Sequence, residues 1–232
     1  MLNQVSVLIP YKPDNGERDK LFKWVKSYYK NVMPEVELCI GTSKSEPFNR
    51  SQAINRAAKK ATKDVFVIAD ADVIYNPKIL IKGIRLLDKH AWVIPYGKWL
   101  DISKASTIRL LKTSPKWPLS TKFKSTERFQ DKTVKPVSGV IIVTRKNFNS
   151  IKGFDERFVG WGREDNAFRD AMNTLCGPFK RINNSSIYHL WHPKVGPKGN
   201  PNIKNNNKLY KRYEEINGNV KKMRKLINER KD

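Results

Sequence analysis

At 232 residues the chain has room for one large domain or two small ones, and 39% hydrophobic residues, with Trp, Phe and Tyr spread among them, supply a core. Lys and Arg number 46 against 22 Asp and Glu, a formal charge of +24; a field of that size recruits polyanions such as nucleic acid, anionic lipid or anionic polysaccharide. No apolar run is long enough to span a bilayer, Met1 leads into a strand pattern without a signal peptide's basic region, and Cys39 and Cys176 lack both zinc spacing and a disulfide framework. These features predict a cytoplasmic protein with two reduced thiols.

Residues 5–10 (VSVLIP) are a continuous apolar run closed by proline, the pattern of a buried parallel strand. After a loop over 11–16, residues 18–29 put Leu21, Phe22, Val25 and Tyr28 or Tyr29 on one helical face. A second strand is predicted over 36–40, ended at Gly41, and a helix over 51–61 with Ala53, Ile54, Ala57, Ala58 and Ala61 inward. Residues 65–69 (VFVIA) form a third strand that stops at Asp70-Ala71-Asp72. Asn76-Pro77 opens a helix with Ile79, Leu80, Gly83, Ile84 and Leu87 inward, and 91–95 is a fourth strand. This alternation predicts a parallel sheet with right-handed crossovers. Neither a Gly-x-Gly-x-x-Gly dinucleotide fingerprint nor a Gly-x-x-x-x-Gly-Lys-Ser/Thr phosphate loop occurs.

Residues 97–135 show no clear period and mix lysines and arginines with Trp99, Trp117, Phe123 and Phe129. Such a segment either tracks a phosphate backbone and stacks bases or is a solvated loop whose aromatics pack inward. A strand follows over 137–144 and a short helix over 146–151. Residues 153–165 (GFDERFVGWGRED) read as a Gly- and aromatic-rich loop ending in adjacent acids, before a helix over 166–175. Residues 179–182 and 186–190 look like edge strands, and 193–207 a linker or lid. In the tail, residues 209, 213, 216, 220, 223 and 227 form one apolar helical stripe, weakened by Gly218, that suits docking on the body; a basic amphipathic helix on anionic membrane is the alternative.

A buried strand that stops at paired acids places Asp70 and Asp72 at the carboxyl edge of the sheet, where open α/β folds bind ligands. Two neighbouring carboxylates call for a cation. Asp oxygens suit Mg²⁺ or Mn²⁺, which share coordination with substrate phosphates. An isolated Asp-x-Asp is also what an ordinary turn contains, so the other clusters matter. Glu164 with Asp165, and His189 with His192, fall at further sheet-edge positions, and imidazoles can complete a metal site begun by Asp.

Taken together, Ile9-Pro10-Tyr11-Lys12, Phe48-Asn49-Arg50, Asp70-Ala71-Asp72, Ser138-Gly139-Val140, Gly153-Phe154, Gly160-Trp161-Gly162-Arg163-Glu164-Asp165 and His189-Leu190-Trp191-His192 resemble the metal-dependent glycosyltransferases of the GT-A fold. The β-1,4-galactosyltransferases are most alike, the family 2 glycosyltransferases more loosely. The resemblance runs from about residue 5 to 192 and leaves 97–135 and the tail unmatched. It implies a Rossmann-like, mostly parallel central sheet flanked by helices, a small mixed sheet and a basic helical tail. The implied divisions are a nucleotide-binding half (1–96), a basic insertion (97–135), an acceptor and metal half (136–200) and the tail (201–232). It implies further that Pro10, Tyr11, Phe48, Arg50, Asp70, Gly139 and Trp161 serve a UDP-sugar donor. Asp72, His192 and His189 would hold Mn²⁺ or Mg²⁺, Asp165 would be the base and Glu164 would hold a hydroxyl. Arg163 and Asn166 depart from the family pattern, where a Gly and a further acid stand.

The resulting expectation is an inverting transferase that moves a hexose from UDP to a polyanionic acceptor. Hydroxymethylated bases of DNA in a bacterial or phage-infected cell are the leading candidate, and a surface glycan or teichoic-type polymer the alternative, with peripheral membrane contact. A non-catalytic nucleic-acid-binding module and a metal-dependent phosphatase or nuclease are the readings from other classes. Oligomeric state is not encoded in any pattern of the sequence.

Overall fold

The computed structural model describes residues 1–129, 135–160, 162–193 and 199–230. After a short 3-10 turn (Leu2–Gln4) the chain runs β1 (Val5–Pro10), α1 (Glu17–Val32), β2 (Glu37–Gly41), α2 (Arg50–Lys60), β3 (Val65–Ala69), β4 (Val73–Tyr75) and α3 (Lys78–Leu86). It continues through β5 (Trp92–Ile94), β6 (Lys98–Ile102), α4 (Lys104–Leu111), β7 (Ser125–Glu127), β8 (Val140–Thr144) and α5 (Arg145–Ser150). The last elements are α6 (Glu164–Leu175), β9 (Phe179–Arg181), β10 (Ser186–His189), α7 (Ile203–Glu215) and α8 (Val220–Asn228).

The main sheet has the order β2-β1-β3-β8-β5-β9. β1 lies parallel to β2 and β3, and β5 parallel to β9, but β8 runs antiparallel to both its neighbours. The predicted fourth strand is therefore not beside the third. Every residue of β3, and all of β8 but Thr144, is buried, so a strand apolar on both faces takes the sheet interior and β5 is pushed one place out. The small sheet, β4-β10-β6-β7, is mixed: β10 pairs antiparallel with β4 and parallel with β6. The 186–190 strand is thus an interior strand of this sheet and not an edge, whereas β9 is an edge.

Residues 97–129 are more ordered than their irregular sequence suggests, since they supply β6, α4 and β7. Ser103 caps α4 by accepting a bond from the Ser106 N–H at 3.3 Å, as a serine at that position should. Trp99 is 5% exposed, and Trp117, Phe123 and Phe129 pack against the core. Phe123 meets Tyr188 edge-on, with centroids 5.3 Å apart, and Phe129 meets Trp99 at 6.2 Å. These rings are spent on packing, and the base-stacking alternative for them falls away.

The tail is two helices. Gly218, at φ +82°, ends the first stretch, and Asn219 caps α8 by accepting from the Lys222 N–H at 3.0 Å. The apolar stripe survives only in part: Tyr213, Met223 and Ile227 are buried as predicted, but Val220 is 47% exposed. Tyr210, Tyr213, Met223, Leu226 and Ile227 are all buried, and α7 and α8 both pack on α6.

A buried polar knot fastens the tail. Asp155, with a side chain 1% exposed, accepts from Arg157 at 2.7 Å and from the Tyr213 hydroxyl at 2.7 Å, with Arg230 at 3.6 Å. Arg230 also donates to the carbonyls of Ile151 (2.9 Å) and Gly153 (3.0 Å). Burial alone would raise the Asp155 carboxyl, but the Arg157 hydrogen bond, the Arg230 charge and the Tyr213 hydroxyl outweigh it and hold it below the ordinary range. The folded pKa lies below the unfolded one, so this stabilisation is present above the unfolded value and is lost as pH falls through the folded value. Asp155→Ala strands a buried guanidinium and is expected to cost about 3–5 kcal/mol in urea unfolding. Asp155→Asn is expected to flatten the acid limb of the stability profile.

Candidate active site

β3 delivers Asp70 to the sheet edge, where its N–H donates to the Gly139 carbonyl at 3.0 Å. Gly139 sits at φ +80°, and a Cβ there would lie 2.4 Å from the Trp99 ring; only glycine fits between the turn and the indole. Two residues on, the Asp72 carbonyl accepts from the Leu190 N–H at 2.8 Å, tying this turn to the end of β10. That bond places Asp72 between the histidines that flank Leu190.

Both imidazoles present Nε2 to the same carboxylate. His189 Nε2 lies 3.5 Å from Asp72 Oδ1 and His192 Nε2 lies 3.1 Å from Asp72 Oδ2. Ligand atoms of the three residues fall within 4.8 Å of one another. The far side of each ring is also engaged. His192 Nδ1 is 2.7 Å from the Pro193 carbonyl; a carbonyl only accepts, so Nδ1 carries the proton. Nε2 of a neutral His192 then aims a lone pair at a carboxylate, a repulsive pairing unless a proton or a metal cation lies between them. His189 Nδ1 lies 3.3 Å from Asp101 Oδ1 and 3.0 Å from Arg128 Nη2. Backing of this kind by carboxylate and carbonyl is how metal-binding histidines are oriented. The donor set fits a divalent cation. Burial would raise Asp72, yet His189 and His192 hold it well below the ordinary carboxylate range. Burial would lower His192, and Asp72 raises it instead.

The second cluster is centred on Arg50, the first residue of α2. Asn49 caps that helix by accepting from the Gln52 N–H at 2.9 Å. Arg50 donates Nη2 to Asp70 Oδ1 at 2.7 Å and Nη1 to Asp165 Oδ1 at 2.7 Å, with Glu164 Oε1 at 3.8 Å. Asp165 and Glu164 belong to the first turn of α6, and not to the end of a loop as the sequence reads. One guanidinium faces three carboxylates. Burial, with Glu164 and Asp70 beside it, pushes Asp165 up to about 8 against the pull of Arg50. Burial likewise raises Glu164, whose Oε2 is buried and finds no partner among the described residues.

The remaining candidates are placed as follows. Pro10 closes β1, buried beside Gly41 of β2. Tyr11 stacks on Phe22, with centroids 4.0 Å apart, and donates its hydroxyl to Asp19. The Phe48 carbonyl accepts from the Gly160 N–H at 3.2 Å. Arg50 is spent on its acidic partners, Asp70, Glu164 and Asp165. Trp161 lies outside the described residues. The sequence reading missed Asp101 and Arg128 as neighbours of the metal cluster. Asp101 stands opposite His189 in the parallel β10–β6 register, and a strand buried in an aperiodic basic stretch gives no signal of that pairing. A cleft of about 410 Å³, walled by Asp101, Ser103, Arg128, Trp191 and both histidines, opens beside the cluster.

A family model described as glycosyl transferase family 2 matches residues 14–150, and one described as the N-terminal domain of galactosyltransferase matches 121–193. No curated protein matches the chain. Among solved structures, the catalytic domain of Drosophila β-1,4-galactosyltransferase 7 complexed with xylobiose is 19% identical, with a TM-score of 0.49 over 87% of this chain and 77% of that one. A mutant of the same Drosophila enzyme, with manganese, UDP-Gal and xylobiose, gives 16% and 0.47 over 81% and 71%. GalNAc-T7 with UDP, GalNAc and Mn²⁺ gives 12% and 0.54 over 98% of this chain but 55% of its own length, a likeness of fold.

Because a metal and a proton compete for His192 Nε2, and Asp72 raises that imidazole, binding of Mn²⁺ is expected to weaken as pH falls through the imidazole range, releasing fewer protons at higher pH. Titration calorimetry in buffers of different ionisation enthalpy checks this. Asp72→Asn and His192→Ala are each expected to abolish the heat of binding.

Proposed function

The chain belongs to glycosyl transferase family 2, is a glycosyltransferase and has the GT-A fold. On that premise we propose that it is an inverting, metal-dependent enzyme that moves a hexose from a UDP-sugar to a hydroxyl of a polyanionic acceptor. The observation that carries this reading is the convergence of Asp72, His189 and His192 within 4.8 Å, next to a separate acid cluster on α6. The complexes reported for GalNAc-T7 and for the Drosophila enzyme, with Mn²⁺ and UDP or UDP-Gal, agree with that choice of ion and donor.

Asp72, His189 and His192 would hold Mn²⁺ or Mg²⁺, which would supply positive charge to offset the negative charge developing on the departing diphosphate. Pro10, Tyr11 and Phe48 border the nucleotide side, and Gly139 keeps the Asp70 turn in place. Asp165, its Oδ1 held by Arg50, takes the acceptor's proton as the acceptor oxygen attacks the anomeric carbon. Glu164 Oε2, buried without a partner among the described residues, receives a substrate hydroxyl, since a buried oxygen of this kind is rarely left unbonded. A single base and one in-line displacement give inversion. Trp161 is assigned to the donor sugar and acceptor side.

The charge of +24 supports a polyanionic acceptor, with DNA bearing hydroxymethylated bases the leading candidate and the cytoplasm of a bacterial or phage-infected cell its setting. An enzyme acting on such a base must take it out of the stack or use a single strand. No described helix is long and apolar enough to cross a membrane. The apolar face of α8 is buried in the body, so its insertion into a lipid surface is not part of this reading.

Turnover of UDP-glucose, UDP-galactose and their N-acetyl forms with Mn²⁺ tests the donor. Asp165→Asn is expected to leave donor binding intact and to lower transfer by roughly 10²–10⁴-fold; transfer that survives the change removes Asp165 as the base. The base works ionised and its pKa is raised to about 8, so kcat/KM of the wild type is expected to fall as pH drops below that value. Gel shifts against duplex and single-stranded DNA over a salt series test the acceptor class. A steep loss of binding with salt is expected, and no shift at low salt removes DNA and leaves an anionic glycan.

A further inference from the structure

Between Phe158 and α6 the chain turns through Gly160 at φ +75° and Gly162 at φ +112°, and Arg163 itself sits at φ +79°. This turn leads directly into Glu164 and Asp165. Backbone of that kind in a non-glycine residue is strained and persists only where its surroundings fix it.

The tail supplies those surroundings. Asn206 of α7 is 1% exposed. Its Nδ2 donates to the Val159 carbonyl (3.1 Å) and the Gly162 carbonyl (3.1 Å), and its Oδ1 accepts from the Val159 N–H (3.3 Å). Asn200, 4% exposed, donates to the Val159 carbonyl at 3.1 Å. It stands so close that a Cβ on Gly160 would lie 2.3 Å from its Oδ1. Arg163 Nε donates to Asn207 Oδ1 at 2.8 Å, and its guanidinium lies 5.2 Å from the centre of the Tyr210 ring.

We propose that α7 splints the acid cluster, with Asn206 a positioning residue that fixes the backbone at Val159 and Gly162 and through it Asp165 and Glu164. The proposal rests on the reading of Asp165 as the base. An apolar side chain could pack α7 against α6 equally well. A buried amide whose donors and acceptor all go to the backbone of one turn specifies that turn's conformation instead. The basic tail is then part of the transfer machinery and not an appendage to it.

The test compares Asn206→Ala and Asn206→Asp with Leu226→Ala, which opens a cavity in the docked α8 without touching the turn. The readouts are Tm, hydrogen exchange over 158–163, and kcat and KM for Mn²⁺-dependent hydrolysis of whichever of UDP-glucose and UDP-galactose the wild type turns over, with water as acceptor. Both Asn206 variants are expected to exchange faster in the turn and to lose kcat on the order of 10–100-fold, with donor KM unchanged because Asp72, His189 and His192 are untouched. Leu226→Ala is expected to lower Tm while keeping kcat. Retained kcat in the Asn206 variants, unchanged exchange in the turn, or loss of kcat in Leu226→Ala matching its loss of Tm would each overturn the splint. A wild type that hydrolyses no donor overturns the function assigned above, and the exchange data still decide whether Asn206 fixes the turn.

Discussion

Three carboxylates around one guanidinium set the terms for this site. Asp70 comes from the end of a strand, Asp165 and Glu164 from the start of a helix, and Arg50 from the start of another. Arg50 reaches Asp70 and Asp165 at 2.7 Å each, which binds the turn that carries Asp72 to the acid pair. Removing one partner from such a buried group is far costlier than the net value of the contact, because the charge left behind has lost both water and its counterion. Negative charge is still in excess after Arg50 is counted. Burial, together with that excess, raises the Asp165 carboxyl above the ordinary carboxylate range.

The protein keeps its two kinds of surface apart. Aromatic rings between residues 97 and 129 turn inward onto Tyr188 and the core, and the lysines between them remain outside. In the tail, Met223, Leu226 and Ile227 are buried while Lys221, Lys222, Arg224 and Lys225 are exposed. A polyanion would meet exposed ammonium and guanidinium groups, an arrangement that confers attraction without selectivity.

Much of this was legible before any coordinates. The run VFVIA stopping at Asp70-Ala71-Asp72 declared a buried strand with a polar edge, and the structure has both. The positions of His189 and His192 beside Asp72 followed from resemblance, and the Leu190–Asp72 backbone bond is the physical reason they meet. Three things could not be read. β6, α4 and β7 hide in a stretch where charged and polar residues break any apolar period. The reversed β8 enters between β3 and β5 from far along the chain, which alternation alone does not encode. Asn206 looks like one polar residue among the three asparagines of α7, since nothing local marks a side chain whose partners lie at Val159 and Gly162.

β10 carries His189 on one face and Tyr188 on the other, hemmed between β4 and β6. Side chains of a strand alternate, so sliding it by a single residue exchanges the two faces. Tolerance of length change is therefore uneven along this chain. An added residue within β10, between Ser186 and Tyr188, would swing the imidazole away from Asp72 and bring a phenol in its place. The same addition in the irregular stretch between α4 and β7 would lengthen a surface connection and leave the ion-binding corner as it was.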